Sequence, residues 1–208
     1  MEYNSDKKEI ILNKELNELD RLVIEFLNIL EKHADYVIVS GYVSILLGRS
    51  RATEDVDLLT PKIKFLQFRK LFTELINSGY ECMNTIDNDE AYKMLDDFAI
   101  RFFKKGVPRP NIEFKIIKTD LDKYSFENRI KVILRENVLF ISPLEMQIAY
   151  KLFLAAEGTN EELSSDKDIE DAKHLYLLFK DKINKEEFSI LLDRLNVKNK
   201  MKWMEDES

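Results

Sequence analysis

Apolar residues in the first quarter of the chain recur at helical spacing and then at strand spacing. Behind Asn13, a good N-cap, they return every three or four residues and predict an amphipathic helix over about residues 14–32. The β-branched run Tyr36 to Ser40 is too short for a helix and predicts a buried strand. Val43 to Leu47 then predicts one or two helical turns, which Gly48 ends.

Strand patterns dominate the middle of the chain. Asp55 to Thr60 predicts a strand that Pro61 ends, and apolar residues at helical spacing predict a helix from about Phe65 to Gly79. Two alternating pairs then predict β-hairpins. The first joins about residues 98–103 to 112–117 across a turn at Gly106 to Pro110, and the second joins about residues 130–134 to 138–141.

The pattern changes at Ser142, after which we expect helices. Ser142, Pro143 and Glu145 have the order of an N-cap, a first-turn proline and the acid of a capping box. Helices are predicted near residues 143–156, 166–180 and 185–195, the last opened by Asn184. We therefore expect an α+β fold whose mixed sheet, within residues 1–141, is flanked by helices, followed by a helical bundle over residues 142–208 that packs on it.

Composition and charge narrow the function classes. A share of 45% apolar residues supplies a buried core, and a net charge of −7 argues against a protein that coats nucleic acid non-specifically. Basic residues between Arg101 and Arg109 leave room for a local basic groove. Cys82 is the only cysteine, no leader pattern opens the chain, and no apolar run approaches the ~20 residues of a membrane span. We expect a cytoplasmic protein that does not span a membrane.

Asp55 and Asp57 are the first candidate for chemistry. One residue separates them on a predicted strand, so both side chains point to the same face while Val56 and Leu58 point into the core. Two carboxylates at one spot repel each other unless a cation neutralises them, and hard oxygen ligands suit Mg²⁺. The alternative is an ordinary solvated pair on a sheet face.

A third acid can complete the site from another strand. Glu113 lies between Ile112 and Phe114, in the same alternation of apolar and acidic residues. Asp120 and Glu127 are alternatives for this position. Three carboxylates can hold two Mg²⁺ or Mn²⁺ ions, which activate a hydroxyl and stabilise a leaving pyrophosphate.

Phosphate-binding groups are predicted upstream of the acids. Ser40 and Gly41 precede a short helix whose backbone amides suit phosphate oxygens. Arg49, Arg51 and Thr53 lie in the loop that leads to the acidic strand, where a guanidinium can bind phosphate with two hydrogen bonds. A merely solvated loop is the alternative for the two arginines.

The segment SGYVSILLGRSRATEDVDLL resembles the signature of the polymerase-β-like nucleotidyltransferase superfamily. The resemblance implies a nucleotidyltransferase-type sheet, metal roles for Asp55, Asp57 and Glu113, and triphosphate contacts at Ser40 and Gly41. The chain departs from the family pattern at Tyr42, where family members usually carry a second Gly or a Ser.

The C-terminal half is similar to small bacterial and archaeal nucleotidyltransferases, including abortive-infection toxin enzymes. The similar segments are SPLEMQIAYKLFLAA and DKDIEDAKHLYLL. This resemblance implies a phosphate contact for Lys151 and supporting roles for Lys167, Asp168 and Asp171. An ordinary capped helix start is the alternative for the last three.

The expected function is an enzyme that binds a nucleoside triphosphate and Mg²⁺ or Mn²⁺ and transfers a nucleoside monophosphate to a hydroxyl of RNA, a protein or a small molecule. The alternative is a toxin–antitoxin component with weak or no turnover that binds a nucleotide and acts through a partner protein, which Tyr42 favours. A structural protein whose acids bind neither metal nor nucleotide is a third possibility.

Overall fold

The computed structural model describes residues 1–155 and 166–206, with side chains to residue 204. Within these ranges the strands are β1 (Glu2–Asn4), β2 (Glu9–Leu12), β3 (Val37–Val39), β4 (Asp55–Thr60), β5 (Tyr80–Cys82), β6 (Ile100–Lys104), β7 (Val107–Ile116), β8 (Ile130–Leu134) and β9 (Asn137–Ile141). The helices there are α1 (Glu18–Leu30), α2 (Gly41–Leu46), α3 (Phe65–Asn77), α4 (Asn88–Met94), α5 (Asp120–Glu127), α6 (Leu144–Leu154), α7 (Lys167–Phe179), α8 (Lys185–Arg194) and α9 (Lys198–Asp206).

All these strands form one mixed sheet in the order β1-β2-β8-β9-β3-β4-β7-β6-β5. At its centre β3 is parallel to β9 and antiparallel to β4, and β4 is parallel to β7. The predicted α+β fold, a mixed sheet flanked by helices and followed by C-terminal helices, is confirmed. The division at residue 141 into a domain and a helical region stays a prediction.

The two faces of β4 and β7 differ because strand side chains alternate. Val56 and Leu58 on β4 and Phe114 on β7 are fully buried, and the Phe114 ring contacts Phe68 of α3 at a centroid distance of 6.2 Å. The opposite face carries the acidic residues. The apolar face of the two strands therefore packs in the core, and the polar face carries the candidate site residues.

The first helix begins later than the sequence pattern predicts. Its N-cap is Asn17, not Asn13, and Asn17 and Asp20 form a reciprocal capping box: Asp20 N donates to Asn17 Oδ1 at 2.8 Å and Asn17 N donates to Asp20 Oδ2 at 3.0 Å. The chain ahead of it first forms β2, which ends at Leu12 and pairs with β8, and residues 13–17 connect that strand to the helix. Neither β1 nor β2 was expected, and β5, α4 and α5 were also missed.

The capping box predicted at Ser142 is wrong. Pro143 is the N-cap of α6, and no side chain caps the helix. Ser142 Oγ instead donates to Ser125 Oγ at 3.3 Å, and Glu145 Oε1 accepts from the backbone N–H of Asn184 at 2.7 Å. The side chains of Ser142 and Glu145 therefore form hydrogen bonds with residues distant in sequence, and neither caps α6.

The first hairpin turns earlier than predicted. Lys104 pairs with Val107, so the turn is Lys105 and Gly106, and Gly106 has a φ of 79°, which suits glycine. The second hairpin pairs β8 with β9 as expected. In the described part of the chain, no helix has both the length and the apolar character needed to cross a membrane.

Candidate active site

The three predicted acids lie on the same, polar face of two neighbouring strands. Asp57 on β4 is the register partner of Glu113 on the parallel strand β7. Asp55 lies two residues before Asp57 and therefore faces the same side. The side chains of Asp57 and Glu113 are largely buried, at 14% and 9% exposure. The sequence pattern placed these acids correctly relative to the core, and the register makes two of them neighbours.

Two basic side chains contact these acids: Lys115, which was not predicted at the site, and Arg101, which was predicted only for a local basic groove. The Lys115 ammonium lies 2.5 Å from Asp57 Oδ1 and 2.7 Å from Glu113 Oε2. Arg101, which is opposite Glu113 in the β6–β7 register, donates from Nε to Glu113 Oε1 at 2.7 Å. Strand alternation is the signal that could have identified Lys115, because it follows Glu113 by two residues and therefore lies on the same face of the strand.

Burial and charge act in opposite directions on these groups. Burial raises the pKa of Asp57 above its ordinary value, although Lys115 opposes this. Burial also acts to raise the pKa of Glu113, but hydrogen bonds and charges from Lys115 and Arg101 outweigh it and hold the pKa below the usual range. The pKa values of the two acids are therefore shifted in opposite directions, because only Glu113 has two basic partners.

The donor atoms at this site fit a hard divalent cation. Asp55, Asp57 and Glu113 supply carboxylate oxygens, the ligands that Mg²⁺ prefers. Asn111, the register partner of Asp55, adds a buried carbonyl oxygen, Oδ1, that has no hydrogen-bond partner among the described residues. Across residues 1–155 and 166–206, however, no three His, Cys, Asp or Glu side chains stand close enough together to hold a metal ion. Lys115 occupies the position between two of the candidate ligands.

The turn between β3 and α2 brings Ser40 to the cavity that Asp57 lines and places Gly41 against Arg51. Ser40 has φ 63° and ψ −136°, an unusual conformation for a non-glycine residue, and lines a cavity together with Asp57. A Cβ on Gly41 would lie 2.5 Å from Nη2 of Arg51. Gly41 thus permits close approach of a guanidinium, where the sequence pattern predicts close approach of a phosphate.

Tyr42 belongs to the core. Its side chain is fully buried, and its hydroxyl donates to Asp20 Oδ1 at 2.8 Å. Burial is the main cause that raises the pKa of Tyr42, and the Asp20 charge adds to it. The residue that departs from the family pattern therefore points toward α1 and does not line the cavity.

The predicted phosphate-binding cations form a buried charge cluster with α7. We call Arg49, Arg51, Lys151, Asp168 and Asp171 the Asp171 cluster. Asp171 Oδ1 accepts from Arg49 at 2.6 Å, and Asp171 Oδ2 accepts from Arg51 at 2.7 Å and from Lys151 at 2.8 Å. Lys151 also lies 2.6 Å from Asp168. Burial acts to raise the pKa of Asp171, but hydrogen bonds from Arg51 and Lys151 hold it below its ordinary value.

Other predicted residues have local partners. The Thr53 hydroxyl donates to the backbone oxygen of Asp55 at 2.9 Å, and the Lys167 backbone oxygen accepts from Arg49 at 3.1 Å. The alternative acids lie on α5: Asp120 faces Arg194, and Glu127 faces Lys123.

A cavity of about 300 Å³ opens between the acidic face of the sheet and helices α5 and α6. Ser40, Asp57 and Lys115 line its sheet side, and Gln147 and Tyr150 line its helix side. Gln147 is 2% exposed, and its Nε2 has no hydrogen-bond partner within the described residues. Burial raises the pKa of Tyr150. The cavity thus has an anionic and cationic wall facing an amide donor that lacks an acceptor.

The architecture is that of a nucleotidyltransferase fold. The chain is similar to an antigenic nucleotidyltransferase-like protein from Paracoccidioides brasiliensis, with 16% identical residues, a TM-score of 0.52, and coverage of 98% of this chain and 94% of that one. It is also similar to ANT(2'')-Ia in complex with adenylyl-2''-tobramycin, with 13% identity, a TM-score of 0.50, and coverage of 86% and 97%.

A solution structure of the antibiotic-resistance factor ANT(2'')-Ia gives the same relationship. It shares 14% identical residues and a TM-score of 0.54, and covers 88% of this chain and 95% of that one. No protein-family model matches the sequence, and no curated protein is similar to it at a significant level. At identities this low, the shared feature is the fold.

Proposed function

We propose that this protein is a metal-dependent nucleotidyltransferase that transfers a nucleoside monophosphate from a nucleoside triphosphate to a hydroxyl group. The observation that carries the proposal is the pairing of Asp57 with Glu113 on parallel strands, with Asp55 on the same face, beside a cavity that Asp57 lines. The fold shared with proteins named as nucleotidyltransferases supports it.

The reaction is an in-line displacement at the α-phosphorus. The acceptor oxygen forms a bond to phosphorus, the bond to the bridging oxygen breaks with its electron pair leaving on pyrophosphate, and the hydroxyl proton passes to solvent. Asp55, Asp57 and Glu113 would hold Mg²⁺ or Mn²⁺, and the side-chain carbonyl oxygen of Asn111, the register partner of Asp55, would lie near it. When bound, the ion neutralises phosphate charge and lowers the pKa of the attacking hydroxyl.

The cavity receives the nucleoside part of the triphosphate. Its volume of about 300 Å³ suits a small organic ligand. Gln147 Nε2 donates there to a carbonyl or ring-nitrogen acceptor of the base, which satisfies a buried amide that otherwise lacks a partner. The ring of Tyr150 supplies an apolar surface beside it.

The sequence leaves the acceptor open among RNA, a partner protein and a small molecule. ANT(2'')-Ia was solved with adenylyl-2''-tobramycin, which favours small molecules as the first acceptor class to test. The toxin–antitoxin relationship and the cytoplasmic location stay predictions.

The decisive test is label transfer. The full chain is incubated with Mg²⁺, each α-³²P-labelled nucleoside triphosphate and one acceptor class at a time. We expect transfer by the wild type and loss of at least about a hundredfold in Asp55→Asn/Asp57→Asn, because the metal ligands lose their charge. Asp193→Asn is the matched control: this carboxylate is 62% exposed and pairs with Lys198 on the surface.

A second function is favoured by the Asp171 cluster. Because Arg49, Arg51 and Lys151 all contact Asp171, the cations predicted to bind phosphate already have partners. Such a site fits a protein that binds a nucleotide with little turnover and acts through a partner protein. Mg²⁺-dependent nucleotide binding without label transfer to any acceptor would favour this function. Absence of both binding and transfer would contradict both.

A further inference from the structure

We propose that Lys115 is a built-in cation that occupies the metal position, and that a divalent ion binds only when Lys115 moves out from between Asp57 and Glu113. The inference rests on the proposed function, since it concerns the same acidic site. It assigns Lys115 a positioning role: its side chain sets the affinity for metal and makes metal binding depend on nucleotide.

The first support is the geometry of the ammonium group. Lys115 Nζ bridges Asp57 Oδ1 at 2.5 Å and Glu113 Oε2 at 2.7 Å. These two acids face each other in the β4–β7 register, so a single cation contacts both. The acids lie close to each other, but they converge on an ammonium and do not leave an open metal-binding position.

The second support is the charge of the site. Asp57 and Glu113 carry two negative charges that Lys115 and Arg101 balance, and Asp55 adds one more negative charge. A divalent ion added to this arrangement would meet a cation at short range in a largely buried place, where Coulomb repulsion is poorly screened. Removing the ammonium uncovers one oxygen on each acid and makes the net charge of the site more negative.

The third support is the place to which Lys115 can move. Its side chain is 37% exposed and lines the cavity proposed for the nucleotide. Lysine is a flexible four-carbon stem with a point charge, so the ammonium can leave the carboxylates without movement of β7. A triphosphate in the cavity offers it a new anionic partner. Arg101 contacts Glu113 alone among these acids, so its departure would leave Lys115 between Asp57 and Glu113.

The consequence is a coupling between metal and nucleotide. Without nucleotide, metal must displace Lys115 into solvent, and binding is weak. With nucleotide, the phosphates accept the displaced ammonium, and metal binds more tightly. We expect nucleotide to increase metal affinity about 5- to 150-fold in the wild type, the usual size of coupling between two sites.

The test measures metal binding itself. Mn²⁺ affinity of the full chain is determined by electron paramagnetic resonance, with and without a non-hydrolysable nucleoside triphosphate analogue, for the wild type and Lys115→Met. We expect Lys115→Met to bind Mn²⁺ about 5- to 150-fold more tightly than the wild type in the absence of nucleotide, and to show a smaller gain when the analogue is added.

Lys131→Met is the matched control. It removes a lysine on β8 that pairs with the carboxylate of Glu9. Strand β8 lies three strands away from β4 in the sheet order. We expect it to bind Mn²⁺ as the wild type does. Circular dichroism establishes that each variant is folded.

The outcomes separate this inference from the proposed function. Suppose that the wild type binds Mn²⁺ and that folded Lys115→Met binds it no more tightly. This result would overturn the role of Lys115, but it would not contradict the metal site. If neither protein binds Mn²⁺, with or without nucleotide, the metal site and the proposed metal-dependent function fail together.

A crystal structure of the wild type with Mn²⁺ and the analogue decides the matter if Lys115→Met does not fold. The inference requires that Nζ no longer bridges Asp57 and Glu113 in that structure. A bound Mn²⁺ beside an ammonium still in contact with both acids would overturn it.

Discussion

Arg51 and Asp171 join the loop before β4 to helix α7 through two hydrogen bonds, from Nε to Oδ1 at 3.0 Å and from Nη2 to Oδ2 at 2.7 Å. Asp171 is fully buried and also accepts from Arg49 and Lys151, which is 2% exposed. One carboxylate therefore contacts three cations, two from the loop and one from α6, and Asp168 adds a second negative charge beside Lys151. This contact links the strand that carries the acidic pair to the C-terminal helices.

Asp171→Asn should be strongly destabilising. It removes the counter-charge that Arg49, Arg51 and Lys151 share, and breaking a buried ion pair by removing one partner typically costs about 3–5 kcal/mol. Chemical denaturation measures the free energy of unfolding. Asp193→Asn, at an exposed ion pair, should change it by less than about 1 kcal/mol. Equal effects of the two substitutions would contradict the role of the Asp171 cluster.

Stability should fall in acid partly because of Asp171. The pKa of Asp171 in the folded protein is lower than in the unfolded chain, where an Asp has a pKa of about 3.9. The carboxylate therefore contributes stability above that value and loses it as the pH falls through the lower folded pKa. Denaturation midpoints of the wild type should drop below about pH 4, and Asp171→Asn should drop less steeply there. Parallel pH profiles would refute this assignment.

Gly41→Ala should destabilise the protein because of Arg51. The new Cβ would lie 2.5 Å from a guanidinium nitrogen that Asp171 holds in place. Such overpacking costs about 1–3 kcal/mol. A double-mutant cycle checks the cause: in an Arg51→Ala background the cost of Gly41→Ala should largely vanish. A cost that persists there would point to the backbone.

Tyr42→Phe should affect stability and leave nucleotide binding unchanged. The hydroxyl that it removes donates to buried Asp20, which keeps its hydrogen bond with Lys14. We expect a loss of about 1–2 kcal/mol in the free energy of unfolding. Isothermal titration with a triphosphate analogue should give wild-type affinity, because Tyr42 does not line the cavity. If a folded Tyr42→Phe variant bound the analogue more weakly than the wild type, Tyr42 would have a role in nucleotide binding.

Gln147→Leu should stabilise the protein and weaken nucleotide binding. A buried amide without a partner destabilises the folded state by about 1–3 kcal/mol, and an apolar side chain of similar size avoids that cost. Thermal denaturation without ligand should show a higher midpoint, while titration with the analogue shows lower affinity. If Gln147→Leu were stabilised and still bound the analogue with wild-type affinity, Gln147 would not be part of the proposed nucleoside site.

Elements with strong local periodicity were predictable. The predicted bounds of β4 and β8 coincide with the structure, and α3 and α7 differ from prediction by two residues or fewer. Each of these elements carries an apolar period that reports its burial directly. The prediction failed where a side chain had a choice of partners. Ser142 caps no helix because Ser125 lies within reach, and Glu145 binds the backbone of Asn184.

The sequence by itself determined that Asp55 and Asp57 share one face of a strand whose other face is core, because strand alternation is a local property of the backbone. Only the tertiary structure decided that Lys115 lies between Asp57 and Glu113, and that Asp171 collects Arg49, Arg51 and Lys151. Strand register and helix docking set these distances. They depend on packing between segments far apart in the chain, which no local pattern encodes.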